Sequence, residues 1–399
     1  MGSKEIRIGV VGARRGLGFS AVVQHLQGVI MYALCDTDLA MAKSVQEKAG
    51  ARYVFDDFEQ FIECGIDVAV IASPPEFHVQ QAVDALRRDI HVLSEVPAAH
   101  TINECFELLQ AVRSSKAQYM LAENYRYMTE VELVRRLVLD GRFGDLYYAE
   151  GAYIHDCRNI RRDASGRLTW RANYPSQIMY CTHSLAPINY WWDNCRITTA
   201  IGQDTGPNRF EKYRTNDCDV AFMRNEDLGL IIVRADGNSP RPHQMAKFAL
   251  QGTLGAYESG RVHDEPAHVY FSPDGKPNPD ARWELLTDYA QAYLPEEWLN
   301  PPPEARAGGH GTSEWFMIRD FINAVRENAT PPIDIYAALN CTAPGLYALS
   351  SKLQGGIPVA VPDYRAVPTV QTLHVPGKAA REEAAAGGKP QAAQTSSSF

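Results

Sequence analysis

The chain has 399 residues, of which 45% are hydrophobic and 22% are charged, with a formal net charge of −9. This length predicts two domains, and the composition is that of an ordinary globular protein with sizeable cores. The acidic balance excludes a nucleic-acid partner, because such binding needs a concentrated basic surface. No apolar run approaches the roughly 20 residues that span a bilayer, so no membrane partner is expected.

Two further features bear on the cellular setting. Residues 1–7 are charged and lead straight into a predicted strand, so no secretory signal is visible and a cytoplasmic location is expected. The eight cysteines are scattered without a CxxC pair. That spacing favours reduced thiols over a disulfide framework or a zinc site, and no metal site is predicted.

The first third of the chain alternates short apolar runs with helical patterns. Strands are predicted at 6–11, 29–35, 68–72, 91–93 and 118–122, and helices at 19–27, 39–49, 79–88 and 103–114. Such alternation builds a parallel sheet with helices on both faces. Residues 1–125 are therefore predicted to form a doubly wound α/β domain.

The pattern changes after residue 143. Long β segments are predicted at 147–154, 197–202, 219–223, 228–234 and 247–251, with one helix near 187–192. They predict an α+β domain at 126–375 with an open, mainly antiparallel sheet, while helices at 314–327 and 337–352 pack back on the first domain. Residues 376–399 lack apolar periodicity and are expected to be flexible, or ordered only against a partner subunit.

A glycine-rich turn follows the first strand. Gly12, Gly16 and Gly18 let the backbone approach a pyrophosphate, which the N-terminus of the next helix stabilises. Asp36 follows about 20 residues later, where a carboxylate holds ribose hydroxyls and repels a 2′-phosphate. The pattern therefore predicts a Rossmann domain that binds NAD rather than NADP. Two basic residues of the same turn leave a phosphate contact open: Arg14 and Arg15.

Three segments that follow later strands extend this pattern. They are Ser73-Pro74-Pro75-Glu76-Phe77-His78, Glu95-Val96-Pro97 and Asn124-Tyr125-Arg126-Tyr127. Together with the glycine turn, they resemble the Gfo/Idh/MocA family of NAD(P)-dependent sugar and polyol dehydrogenases, over most of residues 5–365. The resemblance implies further cofactor-binding residues, namely Ser73, Pro74, His78, Glu95 and Asn124.

One position departs from that family's pattern. The family usually has Glu-Lys-Pro, with the lysine beside the hydroxyl being oxidised, whereas this chain has Val96. A valine side chain neither carries charge nor donates a hydrogen bond. A chain that keeps the nicotinamide scaffold without this lysine is a candidate for a different reaction.

Two later segments carry residues suited to proton transfer. Tyr153 and His155 lie two residues apart in a predicted strand, so their side chains project to the same face. His183 precedes a predicted helix in which Pro187 suits the first turn. In the dehydrogenases, the histidine that matches His183 hydrogen-bonds the hydroxyl that loses its proton.

Four motifs are similar to the NAD-dependent α-N-acetylgalactosaminidases, a glycosidase branch of the same superfamily that also has valine in place of the lysine. The motifs are Glu-Val-Pro-Ala-Ala from Glu95, Glu-Gly-Ala-Tyr-Ile-His-Asp from Glu150, Trp170-Arg171, and Tyr-Cys-Thr-His ending at His183. Carried over by position, the resemblance implies a catalytic set of His183, Tyr153 and Glu123. The substrate-binding set is Tyr180, Arg171, His155, Arg158 and His243.

The same resemblance implies cleavage of a glycoside without net redox change and without the usual pair of glycosidase carboxylates. NAD⁺ takes hydride from C3, the ketone acidifies the C2 proton, the aglycone leaves C1, water adds, and NADH returns the hydride. His183 is assigned to the C3 hydroxyl proton. Tyr153 is assigned to C2 deprotonation, which requires a lowered phenol pKa.

The segment between Tyr153 and His183 contains an excess of arginine. Its charged residues are Arg158, Arg161, Arg162, Arg167 and Arg171, against Asp156 and Asp163. Because guanidinium groups bind sulfonate, carboxylate or phosphate well, the excess predicts an anionic sugar such as a sulfoquinovoside. A solvated loop or a subunit contact is the alternative interpretation.

Two other functions stay open at this point. One is a conventional NAD-dependent sugar or polyol dehydrogenase, which produces stoichiometric NADH. The other is a regulator that binds NAD or a sugar without chemistry. In each case a small sugar is the expected ligand, and the open sheet of the second domain predicts a homo-oligomer.

Overall fold

The computed structural model describes residues 5–163, 165–206, 209, 216–262, 264–272, 274–276 and 278–369. Strands and helices alternate in its first part, as predicted. In chain order they are β1 (Ile6–Val11), α1 (Ala13–Val23), β2 (Val29–Cys35), α2 (Leu39–Ala49), β3 (Tyr53–Phe55), α3 (Phe58–Ile62), β4 (Val68–Ile71), α4 (His78–Leu86), β5 (His91–Ser94), α5 (Ile102–Ser114), β6 (Tyr119–Leu121) and α6 (Thr129–Leu139).

The six strands form one parallel sheet in the order β3-β2-β1-β4-β5-β6. All four residues of β4 are buried, which explains its unbroken apolar run, since helices cover both faces of a parallel sheet. The strand order reverses between β1 and β4. Ligands of doubly wound folds bind at such a reversal, outside the carboxyl ends of the strands.

Helix α1 begins earlier than the sequence predicts. It starts at Ala13, so the turn is Gly12 alone, with φ +92°, and the other two glycines lie inside the helix. Gly16 serves helix–strand packing, because a Cβ there would lie 2.3 Å from Cγ1 of Val10. Glycine has a low helix propensity, so the sequence predicts a helix that starts later. In the structure, the close contact between Gly16 and Val10 outweighs this low propensity. The prediction that Gly16 and Gly18 let the backbone approach a pyrophosphate is therefore corrected, because both residues lie inside the helix and not in the turn.

The second part of the chain is built on a nine-stranded sheet. Its elements are β7 (Leu146–Ile154), α7 (Thr182–Trp191), β8 (Ile197–Asp204), β9 (Cys218–Asn225), β10 (Leu230–Asp236), β11 (Gln244–Gly252), β12 (Gly255–Glu258), β13 (His268–Phe271), β14 (Glu284–Leu285), α8 (Ala290–Tyr293), α9 (Glu296–Leu299), α10 (Ser313–Glu327), α11 (Ile335–Leu353) and β15 (Val359–Ala360).

The order of this sheet is β14-β13-β12-β11-β7-β10-β9-β8-β15. Only β7 and β10 pair in parallel, which confirms a mainly antiparallel sheet. Helix α7 packs against β7 at Gly151, where a Cβ would lie 2.8 Å from Cβ of Ser184. This close approach brings the first turn of α7 beside β7.

Helix α7 also begins earlier than predicted. It starts at Thr182, so Pro187 lies inside the helix and not in its first turn. A proline inside a helix removes one backbone hydrogen bond. The helix persists because nearly its whole length is buried. His183 is consequently a residue of the first helical turn.

Helix α11 contacts β6 and α5 of the first part of the chain, and α10 contacts α1. The Leu121 backbone amide donates to the carbonyl oxygen of Ile333 at 3.1 Å, and the Ala98 amide donates to Oγ1 of Thr342 at 3.3 Å. In the part of the chain that the structure describes, no helix is long and apolar enough to cross a membrane. The predicted flexible segment 376–399 lies outside the described residues.

Candidate active site

A cleft of about 490 Å³ opens at the carboxyl ends of β1, β2 and β4. Gly12 lies at its base, where a Cβ would stand 2.3 Å from the carbonyl oxygen of Ala72. Ser73 and Pro74 line the opposite wall, so the cleft has the shape and position of a dinucleotide site. The Ser73 hydroxyl donates to Oε1 of Gln81 at 2.6 Å, which holds this wall in place.

The cleft is strongly acidic. Asp36 lies at the end of β2, and its carboxylate accepts the backbone amide of Ala13 at 2.8 Å. The other carboxylates that line the cleft are Asp56, Asp57, Glu59 and Asp84. No lysine or arginine is found among the described residues of this lining. Such a wall suits the ribose hydroxyls of NAD and repels the extra phosphate of NADP.

Replacing Asp36 by asparagine is expected to lower the preference for NAD⁺ over NADP⁺ by roughly tenfold, equivalent to about 1.4 kcal/mol. Asparagine keeps an acceptor for the Ala13 amide but removes the charge that repels the 2′-phosphate. Fluorescence titration with both reduced cofactors measures the ratio. Asp38→Asn is the control, because Asp38 caps α2 through the Met41 amide. An unchanged ratio in Asp36→Asn would contradict the assignment.

His78 does not face the cleft. Its side chain is only 1% exposed, and its ring nitrogens lie 2.8 Å from the carbonyl oxygen of Ser73 and 3.0 Å from that of Pro97. The prediction that the His78 side chain contacts the cofactor directly is therefore corrected. His78 instead ties together the two loops that follow β4 and β5.

The two arginines of the glycine turn differ in their surroundings. Arg14 is exposed on α1. Arg15 forms ion pairs with Glu95, after β5, and with Glu314 of α10, the latter at 2.9 Å. These carboxylates satisfy the guanidinium, so Arg15 is held between β5 and α10 rather than left free for a phosphate. Val96, the residue after Glu95, is buried beside this network.

A buried pair of titratable side chains forms the centre of the second site. Nδ1 of His183 lies 2.8 Å from Oε1 of Glu123, and the two side chains are 9% and 0% exposed. The same Glu123 oxygen accepts the Tyr125 backbone amide at 3.1 Å. Because a carboxylate oxygen accepts hydrogen bonds, this pairing assigns Nδ1 as the donor to Glu123 and leaves Nε2 for a ligand.

Three tyrosine rings hold this histidine. Tyr125 stacks on His183 with ring centroids 4.0 Å apart, and Tyr153 stacks at 5.2 Å. Tyr180 meets the same ring edge-on at 5.3 Å. Glu95 is close enough to Tyr180 to contribute to raising its pKa, after burial as the main cause. Tyr180 therefore lies close to the loop that follows β5.

Two buried polar atoms at this junction lack a protein partner. Oε2 of Glu123 and Nδ2 of Asn124 have no hydrogen-bond partner among the described residues. A buried polar atom without a partner costs about 1–3 kcal/mol, so these two atoms are candidate contacts for a bound ligand.

A second pocket opens beside β7. Its lining residues are Tyr153, His155, Cys157, Trp170, Arg171, Tyr174, Gln177 and Tyr180. Aromatic rings with a few polar groups are typical of small-molecule sites. Sequence reasoning missed Tyr174, which is buried with no partner for its hydroxyl among the described residues. No periodic pattern surrounds it that could have identified it.

The Tyr153 phenol does not have the lowered pKa that its predicted role required. Burial is the main cause that raises its pKa well above the usual value, and the neighbouring Tyr180 and Tyr125 add to the effect. The opposing influence of Arg171 is smaller. The protein without a ligand therefore does not meet the condition of a lowered phenol pKa, and the Tyr153 hydroxyl keeps its proton near neutral pH.

Of the five arginines in the segment before His183, Arg171 lines the pocket, stacked over Trp170 at 4.2 Å. It has no carboxylate partner in the described part of the chain. Arg158 is paired with Asp156 at 2.6 Å, so its predicted role as a free substrate-binding cation is corrected. Arg161 is fully buried, while Arg162 and Arg167 are exposed. The arginine excess therefore provides one pocket guanidinium, not a cluster.

The segment that carries Tyr180 is held by a residue far along the chain. Asp219 of β9 accepts the backbone amides of Gln177 at 2.7 Å and Ile178 at 3.3 Å. Lys352 of α11 lies 3.6 Å from the same carboxylate. This buried network fixes the short 3₁₀ helix Gln177–Tyr180 ahead of α7. Its members are too far apart in sequence for spacing to reveal them.

Two family models match separate parts of the chain. Residues 6–123 match the model of the oxidoreductase family with an NAD-binding Rossmann fold, and residues 194–368 match the C-terminal domain of glycosyl hydrolase 109. A glycosyl hydrolase family 109 protein of Solibacter usitatus is 29% identical, covering 90% of this chain and 88% of the relative. An α-N-acetylgalactosaminidase of Tannerella forsythia is 26% identical, covering 75% and 70%.

Solved structures show the same fold. Levoglucosan dehydrogenase in complex with NADH and L-sorbose matches 90% of this chain and 100% of its own, with a TM-score of 0.77 and 19% identity. The first part of the chain is an NAD-binding Rossmann domain similar to that of the Gfo/Idh/MocA oxidoreductases. The second part is similar to the C-terminal domain of glycosyl hydrolase 109, and several relatives carry that family's name.

Proposed function

We propose that this protein is an NAD-dependent glycosidase that cleaves its substrate by oxidation at C3, elimination across C1 and C2, addition of water and re-reduction at C3. The observation that carries the proposal is the buried His183–Glu123 pair in ring contact with Tyr153. When bound, NAD⁺ accepts a hydride and NADH returns it. The residues of the chain then have only to move protons and hold the sugar.

His183 is proposed as the base for the C3 hydroxyl. Its Nδ1 donates to Glu123, so Nε2 takes the hydroxyl proton, and the buried carboxylate stabilises the imidazolium that forms. The free Oε2 of Glu123 accepts a second sugar hydroxyl. Val96 leaves no ammonium at this carbon, so the His183–Glu123 pair handles the C3 proton alone.

Tyr153 is proposed as the group that takes the C2 proton. Its ring stacks on His183, so the two side chains reach neighbouring carbons of one sugar ring. Oxidation at C3 acidifies the C2 proton, and loss of that proton expels the aglycone from C1. The Asn124 amide, the Gly12 turn and the Asp36 carboxylate are proposed to hold the cofactor beside them.

The sugar is proposed to carry an anionic group, and a sulfoquinovoside fits. Arg171 supports this, because it lines the pocket without a carboxylate partner among the described residues. A guanidinium in such surroundings binds a sulfonate by charge-assisted hydrogen bonds. An N-acetylgalactosaminide, the substrate in the name of the Tannerella forsythia relative, is the alternative tested beside it.

A panel of 4-nitrophenyl glycosides tests both parts. The purified protein is incubated with much less NAD⁺ than substrate, in D₂O, with the sulfoquinovoside, the glucoside and the N-acetyl-α-galactosaminide. We expect many turnovers per NAD⁺, no net NADH, and deuterium at C2 of the product. The sulfoquinovoside should react faster than the glucoside of the same ring shape. NADH formed in step with nitrophenol would instead establish a dehydrogenase.

A further inference from the structure

Tyr153 must lose its own proton in order to take one from C2. Among the described residues, its hydroxyl has one hydrogen-bond partner, Nδ1 of His155 at 3.2 Å. The two side chains project from the same face at the end of β7, with their rings edge-to-face at 5.7 Å. The geometry therefore provides a direct path for the phenolic proton into this imidazole.

His155 is the imidazole at the end of this path. The titratable and charged groups that face it are His243, Arg171, Cys157, Asp156 and His183. Burial, followed by the influence of His243 and Arg171, lowers the pKa of His155 to about 4. The His243 ring lies 4.4 Å away, edge-on. The lowered pKa keeps the imidazole neutral near pH 7 but makes it a weak proton acceptor, so the Tyr153 proton moves to Nδ1 in concert with loss of the C2 proton. The accepting tautomer is the one with Nδ1 unprotonated, where Sγ of Cys157 also lies 3.5 Å away.

We propose that His155 accepts the proton of Tyr153, so that the two side chains act as one base at C2. This inference rests on the proposed function and assigns to His155 a role beyond contacting the sugar. Tyr153 touches the reacting carbon, and His155 acts through it.

The atoms balance in this step. The C2–H bond breaks and its proton binds to the Tyr153 oxygen, whose own proton passes to Nδ1 of His155. The C–H electron pair becomes the C1–C2 double bond, and the bond from C1 to the aglycone oxygen breaks, with its electron pair leaving on the aglycone. Hydroxide from water then adds to C1, and the remaining proton of that water goes to the aglycone. The protons on Tyr153 and His155 exchange with solvent, so that in D₂O a deuteron passes from Tyr153 to C2 while Tyr153 is reprotonated from His155.

The charge of Arg171 links the basicity of His155 to the substrate that is bound. The positive charge of Arg171 disfavours the protonated form of His155. An anionic sugar substituent that pairs with Arg171 offsets this charge, so His155 becomes more basic when such a substrate is bound. The base is then strengthened at the moment when the C2 proton must leave.

His155→Gln tests the inference with the 4-nitrophenyl glycoside that reacts fastest in the panel. Glutamine can accept a hydrogen bond from Tyr153 but cannot take its proton. We expect nitrophenol release and C2 deuterium exchange to fall about 10²–10⁴-fold, the usual effect of losing a general base. A single turnover should still form NADH, because C3 oxidation precedes this step. The control is His268→Gln, because His268 lies on β13, three strands away from β7 in the same sheet.

A double variant separates a relay from a merely structural role. If His155 acts through Tyr153, then Tyr153→Phe and Tyr153→Phe/His155→Gln should exchange the C2 proton equally slowly. Additive losses would overturn the inference, as would wild-type C2 exchange in His155→Gln. The wild-type protein tests the proposed function separately, since that function fails if wild type shows no transient NADH or no C2 exchange.

Discussion

Replacing His183 by asparagine should lower kcat/KM for glycoside cleavage by about 10²–10⁴-fold. Asparagine can still hydrogen-bond Glu123, which lies 2.8 Å from the native ring, but it cannot take the proton of the C3 hydroxyl. The loss should include the first chemical step. Stopped-flow absorbance of NADH in a single turnover is therefore expected to show no transient, in contrast to His155→Gln.

The matched control is His25→Asn, since His25 is an exposed histidine just after α1. Its kinetics should equal those of the wild type. Far-UV circular dichroism and NADH binding show whether His183→Asn is folded. If that variant forms NADH at the wild-type rate while nitrophenol release is lost, His183 acts after C3 oxidation and its assignment is wrong.

Gly12→Ala should weaken NAD binding at least tenfold and lower the melting temperature. The backbone at Gly12 has φ +92°, and an added Cβ would lie 2.3 Å from the carbonyl oxygen of Ala72 and 2.7 Å from the amide nitrogen of Ser73. Left-handed backbone costs an ordinary residue about 1–2 kcal/mol. The clash adds to this cost because backbone atoms cannot rotate away as a side chain can, so the turn must move out of the cleft.

Gly141→Ala is the control for the backbone term alone. Gly141 has φ +74°, yet nothing lies within 4 Å of its added Cβ. Its substitution should lower the melting temperature slightly and leave NAD affinity unchanged. Thermal melts and NADH fluorescence titration of both variants measure the difference. Equal effects of the two substitutions would show that the close approach at Ala72 has no part in cofactor binding.

Much of the fold is visible in local patterns. The alternation of apolar runs and helical periods predicted the parallel sheet, and the long β segments without intervening helices predicted the mainly antiparallel sheet. The two misplaced helix starts, at α1 and α7, have one cause in common. Glycines in α1 and Pro187 in α7 oppose helix formation locally, while close packing against β1 and β7 requires or tolerates them.

The residues of the candidate site could be predicted only in part from the sequence. Residue identity and position in a motif were enough to nominate His183, Tyr153, Asp36 and Arg171. Position alone could not separate Arg171 from Arg158, which differ in whether a carboxylate lies beside the guanidinium. Nor could it show that His78 faces two carbonyl oxygens instead of the cleft.

The sequence by itself determined that a parallel nucleotide-binding sheet with an acidic ribose site precedes an antiparallel sheet bearing the chemistry. These features follow from short-range periodicity and from residue types that suit one backbone geometry. Only the tertiary structure shows which of these groups lie within hydrogen-bond distance of one another. It brings Glu123 to His183 across 60 residues of chain, and it places the Tyr153 hydroxyl beside Nδ1 of His155. Burial and neighbouring charge determine a pKa, and both come from elements that only folding brings together.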